Sequence, residues 1–228
     1  MRTIIVWALG VPLTVFFVMC VLLGAVIKSK SLKNFGVTYW GKTCLFISGV
    51  KVKAVGLSNI TMKTAIFAAN HQGAFDIPVL QATLPLRFGW VAKRSLFNIP
   101  FFGWAMAAAG DIPIDRGSPK AMVRSIVKAA ERIKAGSSVS IFPEGTRNEE
   151  ETLLPFKKGA FLIALKSGVP VIPVSIIGTK KIMKKHSLKI FPGIVKVVIG
   201  EAIDTKDMKE AELMELVRER IEEGLKGE

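Results

Sequence analysis

A histidine and an aspartate five residues apart are the first candidates for acid–base chemistry. They lie in the segment Asn70–Asp76 (NHQGAFD), directly after the apolar run 65–69. An aspartate that accepts a hydrogen bond from one ring nitrogen of a histidine fixes the tautomer and leaves the other nitrogen as a base. His71 and Asp76 are therefore candidate catalytic residues. Gly73 permits close backbone approach, and N–H groups at a helix start could stabilise a developing oxyanion. A capping aspartate beside a surface histidine gives the same pattern.

A second segment with polar groups, Phe142–Arg147 (FPEGTR), follows the apolar run 138–141. Arg147 offers a planar guanidinium that suits a phosphate, and Glu144 could accept from a hydroxyl or brace Arg147. Taken alone, the segment also fits a structural turn with an exposed ion pair. Since ligands bind outside the carboxyl ends of strands in open α/β sheets, two such strand ends favour one shared site.

Alternating strand-like and helix-like segments must position these residues. The pattern predicts strands at 50–55, 65–69, 88–91, 111–114, 138–142, 171–176, 188–191 and 195–199. Helices are predicted at 74–82, 118–135, 159–167 and 205–223, the second with Ser118 as N-cap and Pro119 in its first turn. This alternation predicts an α/β fold with a layered, mixed and partly parallel sheet flanked by helices.

The N-terminus predicts a helical membrane anchor. No charged side chain lies between Thr3 and Ile27, a run of 25 residues. About 20 apolar residues suffice to span a bilayer core, and a cleaved signal peptide has a shorter apolar region. The simplest division is a pair of membrane-anchoring helices at 1–48 and an α/β domain at 49–228.

The second of those helices has two interpretations. Aromatic residues recur at roughly helical spacing before Gly49, at Phe35, Tyr39, Trp40 and Phe46. This helix could pack against the next domain, or it could lie in the membrane interface and pair with the first helix. Amphipathicity alone does not choose between them.

Charge and composition narrow the partners. The 228-residue chain is 50% hydrophobic and carries a net charge of +14. The C-terminal residues 201–228 carry ten acidic and five basic side chains, so the basic excess lies upstream. An anionic membrane surface or a nucleic acid would fit that excess. A single Tyr and an apolar N-terminus argue against nucleic acid. Two Cys and two His argue against a closed zinc site.

Four segments together resemble the glycerolipid acyltransferase family. The segment NHQGAFD is similar to its H-x-x-x-x-D motif, and FPEGTR is similar to its second hallmark. Residues 110–117 (GDIPIDRG) and 169–174 (VPVIPV) resemble two further blocks. Order and spacing agree from about residue 65 to 174. Within the family, the size, basic character and N-terminal anchor resemble the lysophosphatidate acyltransferases.

The resemblance implies acyl transfer from acyl-CoA or acyl carrier protein to the sn-2 hydroxyl of lysophosphatidic acid, giving phosphatidic acid. His71 would be the base and Asp76 would orient it. The residues Glu144, Gly145, Thr146 and Arg147 would hold the glycerol phosphate. Neither a metal nor a cofactor besides the acyl thioester is expected. Lysines at 28, 30 and 33 follow the apolar run 3–27, so the catalytic domain is expected on the cytoplasmic face of the cell membrane.

Several alternatives remain at the level of sequence. The same chemistry could act on glycerol 3-phosphate or on another lysolipid, and a non-catalytic membrane scaffold is also possible. Lys93 and Arg116 could bind phosphate or belong to a solvated basic face. The run Leu96–Trp104 could line an acyl-chain slot, touch lipid or belong to the core.

Overall fold

The central element is a mixed, mostly parallel β-sheet. The computed structural model describes residues 2–148, 150, 152–184 and 186–227. In these residues seven strands form one sheet in the order β1-β7-β6-β2-β5-β3-β4. All neighbouring strands are parallel except β6 and β7, which are antiparallel. The strands are β1 Val50–Val55, β2 Ile66–Ala69, β3 Phe88–Lys93, β4 Ile112–Ile114, β5 Ser138–Ile141, β6 Val171–Ile177 and β7 Gly193–Ile199.

Helices cover both faces of the sheet. They are α1 Arg2–Val26, α2 Lys30–Ser48, α3 Asp76–Thr83, α4 Phe102–Ala109, α5 Pro119–Lys134, α6 Lys158–Ser167, α7 Thr179–Ile182 and α8 Glu210–Lys226. Successive side chains of a strand point to opposite faces. Phe67 of β2 therefore packs with α2 and α3, whereas Ile66 packs with α5, α6 and α8. The predicted layered α/β fold is confirmed.

Local sequence signals account for several boundaries. The Ser118 hydroxyl accepts a hydrogen bond from the Ala121 N–H at 3.2 Å, and Pro119 occupies the first turn of α5, as expected of an N-terminal cap. Gly49 ends α2 in a left-handed conformation with φ 65°, a conformation in which glycine has no side chain to clash.

Two predicted elements differ from the structure. The segment 188–191 is not a strand, because side chains of α1 occupy its hydrogen-bonding groups. The Thr3 hydroxyl accepts from the Ile190 N–H at 3.2 Å, and the Trp7 indole donates to the Leu188 carbonyl at 2.9 Å. The last helix begins at Glu210 rather than at 205, after Asp207 adopts φ 59°. Helix α4 was not predicted.

The two N-terminal helices pack against each other and against the rest of the chain. A side chain at Gly36 of α2 would come within 2.7 Å of Val21 in α1. One at Gly41 would come within 3.0 Å of the Pro78 carbonyl in α3. Helix α2 thus pairs with α1 and packs on the α/β part at the same time.

Helix α1 keeps an exposed apolar side. Within the part of the chain that the structure describes, it is the one helix long and apolar enough to cross a membrane. Its exposed side chains indicate membrane association. The division into 1–48 and 49–228 stays a prediction, and its end residues Met1 and Glu228 lie outside the described residues.

Candidate active site

His71 and Asp76 form a hydrogen-bonded pair at the carboxyl end of β2. Nδ1 of His71 lies 2.7 Å from Oδ2 of Asp76. The His71 side chain is 14% exposed, and Asp76 is fully buried as the first residue of α3. A carboxylate at that position accepts from Nδ1–H and leaves Nε2 with its lone pair. Nε2 is thus the ring nitrogen available to a substrate.

Asp76 is surrounded by hydrogen-bond donors. Its Oδ2 also accepts from the backbone N–H groups of Gln72 at 2.7 Å and Gly73 at 2.9 Å. Its Oδ1 accepts from the hydroxyl of Thr179, which is fully buried. Donors on both oxygens stabilise the negative charge and fix the plane of the carboxylate.

This geometry gives Gly73 a different role from the expected one. Its N–H already donates to Asp76, so it does not face the pocket as an oxyanion donor would. A side chain at Gly73 would come within 3.0 Å of the Thr179 carbonyl. Glycine is therefore needed here because α7 approaches closely, which keeps the Thr179 hydroxyl within reach of Asp76.

Glu144 contacts the backbone of His71 and is not exposed to a substrate. Its side chain is only 1% exposed. Oε1 accepts from the His71 backbone N–H at 2.8 Å, and Oε2 accepts from the Leu154 N–H at 3.0 Å. The His71 carbonyl in turn accepts from the Asn148 N–H at 2.7 Å. Residues of the loop after β5 thus form hydrogen bonds with both the N–H and the carbonyl of His71.

Aromatic rings fix the plane of the imidazole. The His71 ring stacks on Phe142 with 3.9 Å between centroids and 9° between planes. Trp90 stacks on Phe142 at 5.3 Å and 19°. The Trp90 indole donates to Gln81 Oε1 at 3.3 Å, and its backbone N–H donates to Asp111 Oδ1 at 2.8 Å. Burial raises the pKa of Asp111 to about 7.

An apolar cavity of about 400 Å³ opens beside His71. Ligand sites are typically about 300–1,000 Å³ and mostly apolar. Its lining comes from α1 and α2, and also from α3, β3, the segment 94–98 and α4. Lining residues include Thr14, Phe17, Val21, Gly36, Trp40, Leu96, Phe102 and Met106. The two N-terminal helices therefore form part of the site.

Two positive side chains lie in the lining of the cavity. Lys93 and Arg116 line it, as does Gly145. A side chain at Gly145, where φ is 72°, would lie 3.5 Å from both the Arg116 guanidinium and the Lys157 side chain. Thr146 is exposed and Arg147 half-buried, and neither lines the cavity. The structure thus brings Lys93, Arg116 and Gly145 to the same cavity as His71.

Thr179 and Trp90 belong to the site, although the sequence did not identify them. Thr179 follows β6 and Gly178, so it repeats the pattern of a buried strand, a turn and a polar residue. Trp90 carried no such signal, because its place in the stack depends on three separate strands or loops. Within the described ranges, no group of three or more His, Cys, Asp or Glu is placed to hold a metal ion.

Fold and site together define an α/β protein with a histidine–aspartate pair beside a mostly apolar cavity whose lining includes two basic side chains. The family model described as acyltransferase matches residues 51–177. The chain belongs to the acyltransferase family. The resemblance inferred from the sequence motifs is confirmed.

The similar proteins share one named activity. A chloroplastic 1-acyl-sn-glycerol-3-phosphate acyltransferase of Brassica napus is 40% identical over 67% of this chain and 45% of its own length. The enzyme of that name from Helicobacter pylori is 33% identical over 79% of this chain and 76% of its own. The chain spans under half the length of the two chloroplastic relatives from Brassica napus and Arabidopsis thaliana, 45% and 44%.

A solved structure extends the likeness to the whole fold. The crystal structure of the 1-acyl-sn-glycerophosphate acyltransferase from Thermotoga maritima matches with a TM-score of 0.80 at 30% identity. The match covers 99% of this chain and 96% of that one. The likeness therefore includes the N-terminal helices as well as the sheet.

Proposed function

We propose that the protein transfers an acyl chain from acyl-CoA or acyl carrier protein to the sn-2 hydroxyl of lysophosphatidic acid, giving phosphatidic acid. The observation that carries the proposal is the His71–Asp76 pair, whose free Nε2 adjoins an apolar cavity with Lys93 and Arg116 at the same site. A lysophospholipid needs all three features: a base for its hydroxyl, an apolar space for its chain and cations for its phosphate. The names of the similar proteins support this choice.

The reaction can proceed by direct attack. Nε2 of His71 removes the proton of the acceptor hydroxyl, and the oxygen attacks the thioester carbonyl. The tetrahedral intermediate expels the thiolate, which takes the proton back from the imidazolium. Such general-base assistance typically contributes ~10²–10⁴-fold. Asp76 stabilises the imidazolium charge, and Phe142 keeps the ring in plane.

Glu144 acts in this proposal as a positioning residue. Both of its oxygens are occupied by backbone N–H groups, so it holds the His71 backbone instead of contacting glycerol phosphate. We place the phosphate near Gly145, between Arg116 and Lys157, with Thr146 and Arg147 next along the chain. Gly73 has no oxyanion role in this scheme.

The membrane supplies the acceptor. In this proposal residues 1–48 anchor the catalytic domain 49–228 to an anionic leaflet, and the basic residues after α1 favour the cytoplasmic face for that domain. Chemistry at the interface spares the transfer of a lysolipid through water. A soluble thioester donor, acyl-CoA or acyl carrier protein, then arrives from the cytoplasmic side.

An acceptor panel tests the proposal. Purified full-length protein is offered lysophosphatidic acid, glycerol 3-phosphate or another lysolipid, each with acyl-CoA and with acyl carrier protein as donor. We expect the highest kcat/KM with lysophosphatidic acid and a phosphatidic acid product by mass spectrometry. His71→Ala serves as the matched control. A higher kcat/KM with another acceptor, or unchanged thiol release by the folded control, would overturn the proposal.

A further inference from the structure

The segment 94–104 carries exposed apolar side chains that no described part of the chain covers. Phe101 is 56% exposed and Trp104 is 58% exposed. Three further apolar residues of the segment, Leu96, Ile99 and Phe102, are also exposed. Single exposed apolar residues are ordinary, but a contiguous group marks an interaction surface.

The backbone holds Phe101 outward at a cost. Its φ of 60° and ψ of −52° place it at the centre of a tight turn in which the Phe102 N–H donates to the Pro100 carbonyl at 2.6 Å. Such a turn is rare and strained for a residue with a side chain. The exposed ring gains little burial in return, apart from contact with Trp104 at 5.1 Å between centroids. Backbone strain that is offset by so little burial within the protein points to a partner outside it.

The position of the segment identifies that partner. Helix α4, which begins at Phe102, packs against α1, so the exposed rings lie beside the proposed anchor. Leu96 and Phe102 also line the cavity, which places the segment at its edge. The surface is therefore shared between the anchor and the route by which a lipid would enter.

The charges around the segment favour an anionic lipid surface. Lys93 and Arg94 precede the apolar residues, and no acidic residue lies between Lys93 and Gly110. Arg94 is 3.8 Å from Asp115, and 63% of its side chain is exposed. Aromatic rings with neighbouring cations are the groups that settle at the level of lipid headgroups.

We propose that the segment 94–104 is a third membrane-docking element, beside α1 and α2, with Phe101 and Trp104 inserted into the interface of an anionic bilayer. The inserted rings join the bilayer directly to the edge of the cavity, so a lysolipid can move from the leaflet to His71 without crossing water. The proposal rests on the proposed function for its lipid substrate, but lipid contact is measured without turnover.

Tryptophan quenching tests the insertion. Full-length protein is bound to vesicles of phosphatidylglycerol and phosphatidylcholine, with or without brominated acyl chains. Since Trp7 and Trp40 lie on α1 and α2 and are quenched as well, the test is a difference: Trp104→Phe should reduce the amount of emission that brominated lipid quenches. Trp90→Phe is the matched control, because Trp90 stacks inside the fold and its emission should resist quenching. Unquenched Trp104 emission from vesicle-bound protein would overturn the proposal.

A second pair of variants measures the effect on entry. Phe101→Ser with Trp104→Ser should lower activity on vesicles ~10-fold or more, since burial of large apolar side chains drives insertion. Activity on a detergent-dispersed short-chain lysolipid should be unchanged. Val123→Ser with Val127→Ser alters exposed residues of α5 and should change neither. Equal loss on both substrates would overturn the proposal. Quenched Trp104 in a protein that does not acylate lysophosphatidic acid would leave docking intact and refute the proposed function.

Discussion

Replacing Thr179 by valine tests whether the donors around Asp76 matter for catalysis. The Thr179 hydroxyl is the donor to Asp76 Oδ1, and both residues are fully buried. Valine leaves that oxygen without its partner in a place closed to solvent. The carboxylate can then rotate, which moves Oδ2 away from His71 Nδ1. We therefore expect the fraction of correctly aligned His71 to fall.

The expected size follows from the hydrogen bond that is lost. A hydrogen bond to a charged group contributes about 1.5–3 kcal/mol. If that difference is expressed in the transition state, each ~1.4 kcal/mol lowers the rate about tenfold. Thr179→Val should thus lower kcat by ~10- to ~100-fold. KM for both substrates should stay within about twofold, because Thr179 does not line the cavity.

Steady-state kinetics with two further variants separates the hydroxyl from general packing. Thr179→Ser keeps the donor and should retain most of the activity. Thr205→Val removes another buried hydroxyl, which donates to the Val169 carbonyl at 3.3 Å, and should lower only the melting temperature. The reasoning is refuted if folded Thr179→Val keeps its kcat, or if Thr179→Ser loses as much as valine does.

Three other predictions concern the dyad, the phosphate and pH. His71→Ala should lower kcat at least ~10²-fold and Asp76→Asn should also damage kcat, measured as thiol release by folded protein; near-wild-type rates would contradict the mechanism. Arg116→Lys should raise KM for lysophosphatidic acid more than it lowers kcat, since Arg116 lines the cavity and its bidentate fork is lost; a higher KM for the donor instead would assign Arg116 to the donor site. Burial raises the pKa of Asp111 from 3.8 to about 7, so between those values the folded protein holds a proton that the unfolded chain releases, and stability falls as pH rises. Asp111→Asn should remove that loss, so its melting temperature relative to wild type should increase from pH 5 to pH 8; an unchanged difference would contradict the assignment.

The sequence predicted the dyad because its geometry is local. His71 and Asp76 lie on one strand–turn–helix segment, where five residues suffice to fold the carboxylate back to the ring. Thr179 could not be assigned in the same way, because it reaches Asp76 only when β6 pairs with β2 in the correct register. The resemblance implied that Glu144 contacts the substrate. The motif does not reveal that the backbone N–H groups of His71 and Leu154 occupy its two oxygens, because those contacts depend on how the loop folds.

The differences in secondary structure have equally physical causes. Segment 188–191 has the composition of a strand, but its backbone groups are satisfied by side chains from the first two turns of α1. A contact between residues almost 190 positions apart leaves no trace in local periodicity. Helix α4 was missed because its small apolar residues resemble a buried strand or loop as much as a helix.

Because α1 and α2 line the cavity, the N-terminal helices cannot be exchanged independently of the α/β part. Thr14, Phe17 and Val21 face the same space as His71, and Val6 belongs to the main core. Exchanging the first 27 residues for an unrelated apolar helix would restore delivery to a bilayer but not the shape of the cavity. Membrane contact and cavity shape therefore depend on the same helix, the first on its outward side and the second on its inward side. A graft that succeeds must copy the inward side of α1, while its outward side can vary with the host membrane.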